Sequence, residues 1–233
     1  MVTRSTAVRR TELERTSAEQ AREALDRGDL EGARAAIDGI LAEEKPIHDL
    51  YGDMCASFVT FIASRQGEEA VDEAWRHVGE DVWKPVLMQF KESGDTEGLA
   101  RAFAVFLISH RYDFSVYEDE EKWTFEVGFC TSGERMVVEG KVAGAGGDSG
   151  GHHRFGSTSR GYPWSLGMQG FPYYDVHSVR WFRLLPEEMG WNVMDVEYDR
   201  KSHGELAITR YLIYKQPRSG QDGVAAASEP PRA

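Results

Sequence analysis

The sequence predicts an α+β protein: a helical N-terminal layer packed on a small antiparallel sheet, with one late helix. Two observations carry this expectation. Apolar residues recur at spacings of three and four up to about residue 110, then at every second residue from Tyr112 onward. No linker separates Ile108 from Phe114, so the helical part (16–110) and the sheet-plus-helix part (111–215) are expected to share one core. Residues 1–15 and 216–233 are expected to be a flexible lead-in and a disordered tail, the latter rich in Ser, Ala, Pro and Gly.

The helical elements follow in order. Ser17 with Gln20 reads as a capping box for a helix that ends at Gly28. Asp29 caps a second helix, whose apolar stripe is Leu30, Ala33, Ile37, Ile40 and Leu41. Pro46 suits the first turn of a third, running through Leu50, Met54, Phe58 and Phe61. Glu68 and Glu69 open a fourth helix with Val71, Ala74, Trp75 and Val78 inward, and a fifth piece covers Val82 to Phe90. Asp95 caps a sixth from Thr96 to His110, with Leu99, Phe103, Phe106 and Leu107 apolar. The first two helices resemble a single hairpin of a helical repeat, but one hairpin makes no solenoid.

In the second half, Tyr112–Tyr117, Trp123–Cys130 and Arg135–Val142 read as a meander of three strands. The turn Glu118-Asp119-Glu120-Glu121 is acidic; a solvated loop is the ordinary reading, because it lacks the ligand spacing and glycine bend of a cation loop. Ala143 to Gly161 is glycine-rich and is expected to be a mobile loop that could serve as a lid over the site; it lacks the Lys-Ser/Thr ending of a phosphate loop. A helix from Pro172 to Leu185 and two strands, Trp191–Tyr198 and Leu206–Tyr214, close the fold.

Composition narrows the partners. The chain has 233 residues, a net charge of −12 and a pI near 5.1. Such a surface repels phosphate backbones, so nucleic acid is not an expected partner. No apolar run reaches the length of a membrane helix, and the N-terminus has no secretory h-region. Cys55 and Cys130 are then expected to be reduced thiols in a cytoplasm. The sequence is silent on oligomeric state, and it carries no cofactor motif.

The candidate site centres on Cys130, a thiol at the end of a strand before the turn Thr131-Ser132-Gly133. The second cluster of reactive groups is Tyr174-Asp175-Val176-His177-Ser178. An imidazole beside a thiol lowers its pKa and makes a nucleophile, so a Cys130–His177 dyad would suit hydrolysis or acyl transfer. The bland alternative is a buried small thiol and a satisfied histidine. On a helix from Pro172, Asp175 and Ser178 share a face, whereas Asp175 and His177 do not. Ser132 or Ser178 could stabilise an oxyanion. Substrate contacts are expected from His48, His110, Trp164, Phe171, Tyr173 and Tyr174. The aromatics among them suit either an apolar pocket wall or plain core packing. His48, His110, Cys130 and His177 could also converge on a soft metal, though no closely spaced ligand pairs of structural zinc are present and no metal is assigned.

These residues, with Cys130-Thr131-Ser132-Gly133, Trp164-Ser165-Leu166-Gly167 and Tyr173-Tyr174-Asp175-Val176-His177, resemble the L-2-amino-thiazoline-4-carboxylate hydrolase-like family over about residues 45 to 215. The chain departs from the family pattern where cysteines flank the histidine: Asp175 and Ser178 stand there. The leading expectation is a small-molecule enzyme of specialised or amino-acid metabolism, a hydrolase or cyclase-like catalyst acting at Cys130 and His177; the resemblance implies hydrolysis of a cyclic amidine-like C–N bond. The loss of the flanking cysteines favours the alternative, a non-catalytic ligand-binding or regulatory module with an aromatic pocket.

Overall fold

Thr16, not Ser17, caps the first helix. Its hydroxyl accepts the Glu19 amide, and the Glu19 carboxylate returns to the Thr16 amide, closing the capping box one residue earlier than the sequence suggests. The computed structural model describes residues 14–142, 154–201 and 205–218; residues 143–153 of the expected lid loop, with His152 and His153, and most of the tail fall outside them. The chain divides into two compact units, Met1–Tyr51 and Gly52–Ala233, the division falling inside the helical region.

In the first unit, α1 (Ser17–Asp26) turns at Gly28, which adopts φ 72°, into α2 (Leu30–Gln66). Asp29 caps α2 through the Gly32 amide at 2.8 Å. The expected break at Pro46 does not occur; Pro46 lies inside one 37-residue helix. A proline removes one hydrogen bond, and the long helical flanks on either side carry the helix across that loss.

In the second unit, α3 (Glu69–Val78) runs through a π turn (Gly79–Trp83) into α4 (Lys84–Ser93). Gly94 ends α4 in the left-handed region at φ 67°, and Asp95 caps α5 (Thr96–Ser109) through the Gly98 amide. The sheet is β1 (Asp113–Glu118), β2 (Lys122–Phe129), β3 (Met194–Arg200) and β4 (Leu206–Tyr214), wholly antiparallel in the order β1-β2-β4-β3. The late helix runs from Val176 to Glu188 as α7 (Val176–Val179), a π turn and α8 (Leu185–Glu188), so it begins four residues after Pro172. The α+β class, helices first and a small antiparallel sheet later, therefore holds.

The third strand of the expected meander does not form. Residues Gly133–Val138 are a helix, α6, and β4 takes the place beside β2. The run Met136-Val137-Val138 is too short for its periodicity to separate strand from helix. Arg135 reaches Glu139 one turn on at 2.8 Å and Asp53 at 2.7 Å, contacts a helix provides and an extended strand does not.

Helices and sheet in this unit meet in one core. Phe103 of α5 packs edge-on against Phe125 of β2 (5.3 Å), Tyr211 of β4 (4.9 Å) and Phe182 of the late helix (5.1 Å). Arg180 joins the late helix to α3 through a two-pronged ion pair with Asp72, both bonds 2.7 Å. No helix among the described residues is long and apolar enough to cross a membrane.

Candidate functional site

The Cys130 and Asp175 segments, 45 residues apart in sequence, are brought together in the second unit. β2 ends at Phe129, and the chain turns at once into α6, which sets Cys130, Ser132 and Gly133 around the turn. The segment before α7 brings Asp175 over the same turn. The approach is close: a Cβ at Gly133 would lie 1.9 Å from Asp175 Oδ1, so only glycine leaves room for the carboxyl.

Cys130 is buried. Its thiol donates to Tyr112 Oη at 2.9 Å and lies 3.3 Å from Ser132 Oγ, which is itself 3.2 Å from Tyr112 Oη. Its amide donates to Glu134 Oε2 at 2.8 Å, and Lys201 closes on both oxygens of Glu134 at 2.8 and 2.9 Å. Burial pushes the Cys130 thiol up, and the nearby Asp175 charge adds to that. The thiol is therefore neutral at physiological pH, a buried small thiol rather than an activated thiolate.

Asp175 is 2% exposed. Among the described residues, no hydrogen-bond donor or cation reaches its carboxyl; only its backbone groups are bonded, the carbonyl accepting from Tyr198 Oη at 3.4 Å. Burial raises the carboxyl to about 8, helped by the Glu134 charge. A carboxyl that folding leaves buried and without donors is costly, and buried polar groups are normally satisfied. Ser178 lies beside Tyr198 and Tyr211, whose hydroxyls burial holds above their ordinary range, and Tyr174 Oη sits at Ser132.

His177 does not pair with Cys130. Its Nδ1 faces the Tyr174 carbonyl and so carries the ring proton, leaving Nε2 to accept from Ser178 Oγ at 3.3 Å. The ring lies among Trp75 (5.1 Å), Trp181 (4.8 Å) and Tyr174 (4.7 Å). Burial lowers it to about 4, with a smaller push from His110. It is a neutral and weak base.

The remaining expected contacts scatter. His110 caps the end of α5, its Nδ1 2.9 Å from the Phe106 carbonyl and its ring 4.2 Å from Phe106. His48 belongs to the other compact unit, with Nδ1 3.3 Å from Asp49. Among the described residues, no three His, Cys, Asp or Glu side chains are grouped to hold a metal ion. Of the aromatics, Trp164 stacks on Tyr162 at 4.3 Å, and Phe171 packs on Tyr198 at 4.7 Å in the core. Tyr173 donates to Glu68 at 2.9 Å and accepts Trp75 Nε1 on its carbonyl. Tyr174 borders both His177 and Ser132.

Sequence reasoning missed Tyr112, Glu134, Tyr198, Lys201 and Tyr211. The strand alternation places Tyr198 and Tyr211 on the core face, but no local signal sets their hydroxyls beside Ser178. No family model matches the chain, and no curated protein and no solved structure is significantly similar to it.

Proposed function

We propose that the Asp175–Cys130 cluster is the site of a small-molecule hydrolase acting on a carbon–nitrogen bond, with Asp175 as its proton-transfer group. The observation that supports this is the Asp175 carboxyl, buried, without a donor, and raised to about 8. A carboxyl held that high keeps its proton at neutral pH and gives it up readily, which is what a general acid needs. In the reaction, water adds to the carbon while Asp175 protonates the departing nitrogen; the proton released by the water returns to Asp175. The hydroxyls of Tyr112, Tyr174 and Ser132 supply donors for the charge that develops. Cys130 serves as a neutral member of this hydrogen-bonded group. His177 holds Ser178 and the Tyr174 carbonyl in place. The resemblance of the Cys130 and His177 segments to the L-2-amino-thiazoline-4-carboxylate hydrolase-like family agrees with a cyclic amidine as substrate. A cytoplasmic location, with Cys55 and Cys130 both free, belongs to the same proposal.

The direct test follows L-2-amino-thiazoline-4-carboxylate by NMR with purified protein. Asp175→Asn is expected to lower turnover about 100-fold or more, and Cys130→Ser to lower it far less. Full turnover by Asp175→Asn, with loss in Cys130→Ala, would return the chemistry to the thiol. A second reading, a binding module without bond chemistry, draws on the neutrality of both Cys130 and His177. Saturable binding of the compound without turnover would establish it.

A further inference from the structure

Arg135, Lys201 and Arg180, cations on the segments that build the Cys130–Asp175 site, are each matched to a carboxylate. Arg135 closes on Asp53 at 2.7 Å and on Glu139 at 2.8 Å. Lys201 closes on Glu134 at 2.8 Å. Arg180 closes on Asp72 at 2.7 Å and on Glu188 at 2.6 Å. Asp175 is the carboxyl left over: among the described residues, no donor or cation reaches its side chain. Around it stand a second carboxyl, Glu134, and uncharged groups, the Cys130 thiol and the hydroxyls of Tyr174, Tyr198 and Tyr211. An ionised Asp175 in that setting is a buried charge with a like charge nearby, and a cation is what would stabilise it. The site is not sealed. Tyr112, Tyr174 and His110 are half-buried, so it opens at these side chains, with Ser132, Cys130 and Asp175 behind them at 3% exposure or less.

We propose that the site selects a small planar cation, an amidinium or guanidinium without an acid group, whose paired N–H donors dock on the Asp175 carboxylate. Such a ligand presents two parallel N–H groups that match the two oxygens of a carboxylate, so it supplies both the missing donors and the missing charge. An anionic ligand meets the opposite situation. It would face Asp175 and Glu134, while Arg135 and Lys201 are already engaged, and that juxtaposition selects against it. This inference rests on the reading of Asp175 as the working group of the site and narrows its substrate class. An amidinium facing a carboxylate holds the same proton as a neutral amidine facing a carboxylic acid, so the proton-transfer role of Asp175 stands. A carboxylate on the ring, as in L-2-amino-thiazoline-4-carboxylate, weakens binding here, and the ring without it is the better fit.

Acetamidine, acetamide and acetate are a positive, a neutral and a negative probe of nearly one shape. Each is titrated into the full chain at pH 8, with the backbone amides of residues 130–133 and 175–178 followed by NMR. Acetamidine is expected to bind at least about 10-fold more tightly than acetamide, and acetate to show no saturation at these amides. Asp175→Asn is expected to weaken acetamidine about 30-fold or more while leaving acetamide unchanged. The pH profile is a readout that a merely structural role would not move. With Asp175 raised to about 8, wild-type affinity for acetamidine should climb about tenfold from pH 6 to 7 and level off above 8. Of the groups around Asp175, Glu134 is paired with Lys201, His177 is lowered to about 4, and burial holds Cys130, Tyr174, Tyr198 and Tyr211 above their ordinary ranges. Equal affinity for the three probes, a preference for acetate, saturation by none of them, or an Asp175→Asn chain that binds acetamidine as the wild type does would each overturn the proposal. If Asp175→Asn loses its circular dichroism, the wild-type profile decides, and an affinity that stays flat from pH 6 to 8 refutes it. Turnover is read separately: the expected charge order without hydrolysis of any cyclic amidine would end the hydrolase reading and leave the cation site standing.

Discussion

Asp175→Asn should change how stability depends on pH, and the sign can be worked from two buried groups. Asp175 is raised from 3.8 to about 8, so the folded state binds its proton more tightly than the unfolded chain does. Its contribution is fully present below about pH 4 and is lost as pH rises towards 8, at about 1.4 kcal/mol per pH unit. His177 is lowered from 6.5 to about 4, so its contribution is present above pH 6.5 and is lost as pH falls towards 4. Between pH 4 and 6.5 the two slopes oppose and nearly cancel. Above 6.5 only Asp175 remains, and wild-type stability should fall by about 2 kcal/mol between pH 6.5 and 8. The asparagine keeps the shape and removes the titration. The stability of Asp175→Asn relative to wild type should therefore climb by about 3–4 kcal/mol between pH 5 and pH 8. Urea unfolding at unit pH intervals measures this, and other carboxylates drop out of the difference. A difference that stays flat across that range would refute the claim that Asp175 is buried without a partner.

Two further outcomes follow from the same cluster. Gly133→Ala places a Cβ 1.9 Å from Asp175 Oδ1 and should destabilise by about 1–3 kcal/mol through overpacking; Asp175→Ala in that background should recover most of the loss, as read by urea midpoints. Cys130, buried and with its thiol pushed up, should resist iodoacetamide in the native protein at pH 8 and react at least about 100-fold faster once unfolded; rapid native labelling mapped to Cys130 by mass spectrometry would contradict the neutral, enclosed thiol.

The sequence by itself determined the fold class. The switch from helical to alternating periodicity near residue 110 is local, and so are the caps at Asp29 and Asp95; each rests on residues within one or two turns of chain. It also singled out Cys130, Ser132, Asp175, His177 and Ser178, because reactive side chains at element ends stand out in a linear reading. Where the local signal was short or ambiguous, the tertiary structure decided. Met136-Val137-Val138 became helix because Arg135 could then reach Asp53, 82 residues away in sequence. Pro46 was absorbed into α2, and the histidine expected to activate the thiol instead holds Ser178. Which group carries the unusual proton was likewise a tertiary matter. Burial and charge act through space, so a carboxyl that looks like a helix-start residue in sequence becomes, over Gly133 and beside Glu134, the most perturbed acid at the site.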